Sequence, residues 1–290
     1  MSNTTVPSSP GGRQRPYIQS TATVTVSPRR PESPTEPDPH ELDGRVALVT
    51  GAGAGIGRAV CHRLAAGGAT VVPTDRHAGR LAEVVAELRR RDPDPVGLAR
   101  TLDIERRDDF DAVFADIDGT WGGLDIYVWN AALNLQQPIF EHDPDLFDRI
   151  LYANVNNCGY SCSRAVELMR RRGGGGIVMI GSLAPDLVAT VREPPYAISK
   201  AAVRALMLGI AKAGGPLGIR CNEVVMGLVT GTRFTDSRPE RAAEMLADVP
   251  LGRHATVEDI AEAVAFLVSE RAAFITGEVL NVSGGQYLRL

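Results

Sequence analysis

From residue 45 onward, short apolar runs alternate with longer amphipathic ones. Val46–Thr50, Thr70–Thr74, Val96–Leu102, Asp125–Trp129, Ile177–Ile180, Ile219–Val225 and Glu278–Val282 are rich in Val and Ile and predict strands. Between them, Arg58–Ala66, Ala78–Arg91, Arg107–Ile117, Pro144–Arg172 and Tyr196–Lys212 predict helices, with two more near 239–247 and 257–269. Strict alternation of strand and helix requires right-handed crossovers, which cover both faces of a parallel sheet. The expected fold is therefore α/β, a doubly wound parallel sheet of seven strands in a single domain.

Residues 1–42 break the pattern. Eight of the 19 prolines fall within the first 40 residues, among many Ser and Thr and with Tyr17 as the one aromatic. Such a composition buries too little apolar surface to offset the entropy of ordering, so a disordered tail is expected before a domain over 43–290. The tail lacks the apolar stretch of a secretory signal. Its segment Tyr17–Val26 is β-prone and could pair with a sheet edge or a neighbouring subunit.

Composition narrows the function. No run of the 290 residues approaches the ~18 apolar residues of a membrane span. With 31 basic against 35 acidic side chains, the net charge of −4 argues against nucleic-acid binding by bulk charge. Cys61, Cys158, Cys162 and Cys221 are too scattered for a disulfide framework and read as core residues of a reducing, cytoplasmic compartment. The five histidines show no metal-binding spacing, so no metal is expected. Twenty-nine of the basic residues are arginine and only Lys200 and Lys212 are lysine, so a motif that needs lysine rarely arises here by accident.

The first predicted strand runs into Thr50-Gly51-Ala52-Gly53-Ala54-Gly55-Ile56-Gly57 and then at once into a helix. Glycines there permit a tight turn and close approach of the backbone to a pyrophosphate, whose charge the helix N-terminus accommodates. The second strand ends at Asp75, 18 residues past Gly57. A carboxylate at that place accepts both ribose hydroxyls of an adenosine and repels a 2′-phosphate, which favours NAD. Arg76, next in the chain, could tolerate the phosphate, so NADP stays open.

A second constellation lies further on. Tyr196 and Lys200 are four residues apart on a predicted helix, hence on one face. A free phenol titrates near 10, too high for a base at neutral pH, and a nearby ammonium lowers it. Lysine suits that task as a compact charge that also donates to ribose hydroxyls. Ser182 ends a strand, where parallel sheets place active groups, and its hydroxyl can donate to a substrate oxygen.

The Thr-Gly-x-x-x-Gly-Ile-Gly turn together with Tyr196-x-x-x-Lys200 resembles the short-chain dehydrogenase/reductase family, and the resemblance extends from about Leu42 to Gly285. It implies a catalytic set of Asn154, Ser182, Tyr196 and Lys200, with Asn154 holding a relay water; Asn156 and Asn157 lie close by. It implies cofactor contacts from Gly51, Gly53, Ala54, Gly55, Ile56, Gly57, Asp75, Arg76, Asp103, Ile104, Asn130, Ala131, Tyr196, Lys200, Val229 and either Thr230 or Thr232. Trp129 and Ala132 flank Asn130-Ala131 where the family carries Asn and Gly, Met226 stands where it carries Pro, and Glu223 replaces a small residue.

The activity implied is reversible oxidation of a secondary alcohol to a ketone by hydride transfer to NAD. The alternatives are an NADPH-dependent ketoreductase and a non-catalytic dinucleotide-binding sensor or scaffold. Residues 183–195 and 228–252 are expected to form a mainly apolar substrate wall carrying Arg192, Arg233 and Arg238. The partners implied are a small-molecule alcohol or ketone and further copies of the chain. The resemblance implies a homotetramer or homodimer joined through helices 144–172 and 196–212 and the last strand.

Overall fold

The structure is a computed structural model in which residues 40–91, 94–135, 137–186, 193–232, 235 and 239–288 are described. The chain divides into Met1–Glu32, outside the described residues, and Ser33–Leu290. The expected tail, Tyr17–Val26 included, lies outside the described residues as far as residue 39. At its end, Leu42 is buried, and its N–H donates to Gly67 O at 2.7 Å.

Among the described residues nine strands are formed: β1 Val46–Thr50, β2 Thr70–Asp75, β3 Arg100–Thr101, β4 Ile126–Trp129, β5 Gly175–Ile180, β6 Ile219–Met226, β7 Val229–Thr230, β8 Ala255–Thr256 and β9 Val279–Val282. Seven make one sheet in the order β3-β2-β1-β4-β5-β6-β9, every pair parallel, and β7 and β8 form a separate parallel pair. The expected doubly wound sheet is thus present. The order reverses direction between β1 and β4, and such a switch point opens a crevice at the carboxyl ends of the strands.

The helices are α1 Gly55–Ala66, α2 Ala78–Leu88, α3 Arg107–Trp121, α4 Pro144–Leu151, α5 Asn157–Arg171, α6 Pro194–Gly214, α7 Pro239–Leu246 and α8 Val257–Val268. Alternate strand residues face opposite layers. Val46, Leu48, Tyr127, Trp129, Ile177 and Met179 pack with α3, α5 and α6, whereas Ala47, Val49, Ile126, Val128, Val178 and Ile180 pack with α1, α2 and α8. Both faces being covered, these strands read as continuous apolar runs.

Two expected elements come out differently. The third strand shrinks from Val96–Leu102 to Arg100–Thr101, with Val96 making only an isolated bridge to Val71. It lies at the sheet edge, and Gly97 within it packs so tightly under the Trp121 ring that a Cβ would collide with it. The expected helix Pro144–Arg172 is divided between α4 and α5 by a single π turn, Tyr152–Asn156. A π turn widens the spiral by one residue, and this one contains Asn154. Helix α6 begins at Pro194 rather than Tyr196, because proline is pre-set for the first turn, where an N–H is not needed.

All four cysteines are free and buried. Among the described residues no helix is long and apolar enough to cross a membrane, and no cluster of His, Cys, Asp and Glu is able to hold a metal ion.

Helix α8 starts with a capping box: Asp259 N donates to Thr256 Oγ1 at 3.3 Å and Thr256 N to Asp259 Oδ2 at 2.7 Å. The Arg253 hydrogen bond holds the Asp259 carboxyl below the usual carboxylate range. Thr256→Ala is therefore expected to cost about 1 kcal/mol, lowering Tm by about 2–4 °C in calorimetry at pH 7. A depressed folded-state value means the contribution of Asp259 is present above the ordinary carboxylate range and fades as pH falls through the lowered one. An unchanged Tm at pH 7 would show that the box contributes nothing.

Candidate active site

A cavity of about 800 Å³ opens at the carboxyl ends of β1, β2, β4, β5 and β6. Its cofactor-sized half is built on β1. The Thr50 hydroxyl donates to Val128 O and accepts the N–H groups of Asn130 at 3.0 Å and Ala131 at 3.1 Å, which binds the end of β1 to the end of β4. The Asn130 amide in turn donates to Thr50 O and Gly51 O. Gly51 and Gly55 have φ of +67° and +53°, a region open to glycine at little cost. At Gly57 a Cβ would collide with the Gly51 carbonyl oxygen and lie 2.6 Å from Asn130 Nδ2.

Helix α1 starts at this turn with Ala54 as its N-cap, no side-chain cap and no acidic residue in the first turn. Its first-turn N–H groups are left without internal partners beside the cavity, which suits a pyrophosphate. Asp75 stands at the end of β2, where Oδ2 accepts Gly53 N at 3.0 Å and Oδ1 accepts His77 N at 2.8 Å. The residues present therefore fit a nicotinamide dinucleotide: a glycine cradle with no room for a Cβ, an uncapped helix end and a carboxylate beyond it.

The other half of the cavity is carried by β5 and α6. Ser182 follows β5 and its hydroxyl accepts Ala184 N at 3.0 Å. Tyr196 lies in the first turn of α6 and lines the cavity beside Ser182. Burial pushes the phenol up to about 12, opposed by a hydrogen bond with Ser182 and reinforced by the charge of Glu193. One helical turn on, the Lys200 ammonium lies 5.6 Å from the centre of the Tyr196 ring and donates to Ile180 O at 2.6 Å. Burial lowers Lys200 to about 8, while the charges of Cys158 and Glu223 act to raise it. Desolvation penalises whichever form is charged, so one cause drives the two groups in opposite directions. The phenol, expected to be lowered by the ammonium, is instead raised in this state, with burial the largest cause.

The family model described as enoyl-(acyl carrier protein) reductase matches residues 51–286. The chain is 32% identical over 248–249 residues to an uncharacterized oxidoreductase of Mycobacterium bovis and to the 3-oxoacyl-(acyl-carrier-protein) reductase of Vibrio harveyi, covering 85% of this chain and 98% and 99% of those proteins. A solved short-chain dehydrogenase/reductase from Mycobacterium ulcerans superposes with a TM-score of 0.80 at 32% identity, covering 84% of this chain and 90% of that one. The chain belongs to the short-chain dehydrogenase/reductase family. It is an oxidoreductase of CH–OH and keto groups that uses a nicotinamide dinucleotide.

Within this short-chain dehydrogenase/reductase, the expected site residues divide into those at the cavity and those behind it. Gly51, Ala54, Gly55, Ile56, Asp75, Arg76, Ile104, Asn130, Ala131, Ser182, Tyr196, Val229 and Thr232 line it. Gly53 and Gly57 shape the turn from behind. Asp103 does not line the cavity; its carboxylate accepts Glu105 N at 3.0 Å and so shapes the loop that presents Ile104. Thr230 donates away from the cavity to Ala255 O, whereas Thr232 lines it and donates to Val229 O at 2.9 Å.

Asn154 is 1% exposed. Its amide donates to Leu133 O and Ser199 Oγ and accepts Leu133 N at 2.7 Å, which braces the β4 loop against α6. Asn157 is engaged elsewhere, donating to Ile104 O, and Asn156 pairs with Arg107. Expected wall residues Leu187, Val188, Val191, Arg192, Phe234, Arg233 and Arg238 lie outside the described residues, while Leu228 and Met245 line the cavity.

Sequence reasoning missed Asn134 and Glu193, which meet across the substrate end with Nδ2 to Oε2 at 3.2 Å. They come from different loops, and no local spacing announces them. The third strand's neighbour Glu105 and the α2 residue Arg80 also line the cofactor half unannounced. Gly57→Ala is expected to cost about 1–3 kcal/mol through overpacking and to weaken dinucleotide binding in calorimetric titration. Undiminished affinity and Tm would show that the turn has slack the geometry denies.

Proposed function

We propose that the protein oxidises a secondary alcohol to a ketone with NAD as the hydride acceptor. The observation that carries this reading is the placement of the Tyr196 phenol beside Ser182 at the cavity wall with the Lys200 ammonium buried one turn beneath. When bound, the nicotinamide supplies the carbon that takes up the hydride. The Ser182 hydroxyl donates to the substrate oxygen and fixes its position. Tyr196 takes the hydroxyl proton as general base, and Lys200 supplies the positive charge that makes the phenolate accessible. Asn154 holds the Leu133 loop that faces this centre. Thr232, with its hydroxyl at the cavity, is the better placed of the two threonines to meet the nicotinamide end.

Asp75 supports NAD, since a carboxylate fixed by two backbone N–H groups is disposed toward ribose hydroxyls and against a 2′-phosphate. A specific observation keeps NADP as the second reading: Arg76 and Arg80 line the same end, Arg80 lying 3.9 Å from Asp75. The substrate end combines Leu133, Leu183, Met226, Leu228 and Met245 with Asn134 and Glu193, which supports a substrate with both an apolar body and a polar group. Among relatives, the Sphingomonas L-rhamnose 1-dehydrogenase is named for either cofactor, NAD(P)(+), and is 33% identical.

Exposed Ile198 and Leu208 on α6 and Tyr152 on the π turn support a dimer or tetramer built on these helices. Light scattering of the native protein should give a multiple of the chain mass; a monomer would sink that part. The buried free thiols are in keeping with the cytoplasm.

The test of the activity is absorbance of the reduced nicotinamide over a panel of secondary alcohols and ketones. Initial rates are expected to be higher with NAD than with NADP and to rise with pH, as a base with an elevated titration point requires. Tyr196→Phe is expected to lower kcat/KM by about 10²–10⁴. Normal turnover in that variant would overturn the mechanism, and a strong NADP preference would overturn the use of Asp75.

A further inference from the structure

Beneath the site lies a charged group that the catalytic set does not include. Glu223, in the middle of β6, is fully buried at 0% exposure. A carboxylate is costly to remove from water unless it is paired. Arg204 supplies one partner, its Nε donating to Glu223 Oε2 at 2.8 Å. The other end of the Arg204 fork holds Asp186 at 3.0 and 3.2 Å and approaches Ser182 O at 3.4 Å. Among the described residues Glu223 Oε1 has no hydrogen-bond partner.

The surroundings are shaped to that carboxylate. Gly181, immediately before Ser182, has no room for a side chain because a Cβ there would lie 2.6 Å from Glu223 Cδ. Tyr196, Lys200 and Arg204 recur every four residues along α6, so they share the face that looks toward β5 and β6. Around the Lys200 ammonium lie the Tyr196 ring from α6, Cys158 from α5, Glu223 from β6 and the Ile180 carbonyl, while Arg204 from α6, Asp186 from the loop after β5 and Cys221 from β6 gather around Glu223. Of the carboxylates, Glu223 is the one whose charge acts on Lys200.

We propose that Glu223 is a positioning residue of the proton-transfer site: its carboxylate holds Lys200 in the ammonium form and, through Arg204, fixes the loop that carries Ser182. The proposal rests on the reading of Tyr196, Lys200 and Ser182 given above. Burial pushes the Glu223 carboxyl up, and the hydrogen bond and charge of Arg204 oppose this without cancelling it.

The chain contains only two lysines, Lys200 and the exposed Lys212, so protein labelled with ¹³C at the lysine ε carbon gives two resonances, and a Lys200→Arg sample assigns them. Lys200 is expected to titrate below the usual lysine range, at about 8, in the unaltered protein. In Glu223→Gln it should titrate lower still, by about one pH unit, the size of a nearby-charge effect, and Glu223→Asp should restore most of the difference. The alkaline limb of kcat/KM at saturating cofactor should move with it, whereas a merely structural role would lower the rate alike at every pH. If Glu223→Gln does not fold, the pair Glu223→Ala/Gly181→Ala removes the charge and fills the space it leaves, and the same shift is expected. An unmoved Lys200 titration in either folded variant overturns the proposal. Absence of turnover in the unaltered protein would instead sink the catalytic reading while leaving the resonance readable.

Discussion

The Thr50 hydroxyl at the end of β1 receives two backbone N–H groups from the end of β4 and gives its own proton to a β4 carbonyl. Everything at the cofactor end depends on that knot. It closes the seam where strand order reverses, the one place in a doubly wound sheet where neighbouring connections leave in opposite directions. With the seam held, Asn130 can support the glycine turn from below, and α1 can start with its N–H groups free rather than capped by a side chain. Were β1 and β4 to part, the cradle and the loop at Leu133 would both lose their footing.

The reacting end is organised by a different constraint, the removal of charged groups from water. Tyr196 and Lys200 share one helix face and one apolar environment, and the same desolvation raises the phenol and lowers the ammonium. Left to itself that environment would neutralise both. The countering features are short-range and specific: the Ser182 hydroxyl on the phenol, the Ile180 carbonyl on the ammonium, and the anionic charge deeper in β6.

How much of this was legible in the chain follows from the range over which each signal acts. The apolar runs of β1, β4 and β5 were plain because both faces are buried and no charged position interrupts them, and β6 was plain from Ile219, Cys221, Val224 and Val225 although Arg220, Asn222 and Glu223 interrupt it. The edge strand β3 was overestimated because Val96–Leu102 has the composition of a strand, yet only an inner neighbour can pair with it. The break in the helix over 144–172 left no proline or glycine at Tyr152–Asn156 to mark it, since a π turn is an added residue rather than a forbidden one. Tyr196 and Lys200 were found because their relation is local, one helical turn. Asp186, Arg204 and Glu223 were not joined because their relation is made only by packing α6 onto β5 and β6. The same holds for Asn134 and Glu193, which are brought together from separate loops.

The reciprocal fit of Gly181 and Glu223 has a consequence for how such a site can change. A side chain at 181 and a carboxylate at 223 claim the same volume, so the two cannot coexist in this backbone. A chain with a small residue at 223 can acquire the acid only after position 181 has become glycine. A chain already holding the acid can recover a side chain at 181 only after giving the acid up. The two positions therefore form a single ordered path in sequence space, crossed in either direction through glycine at 181 with a small residue at 223, and the order of the two substitutions decides whether a folded protein lies between them.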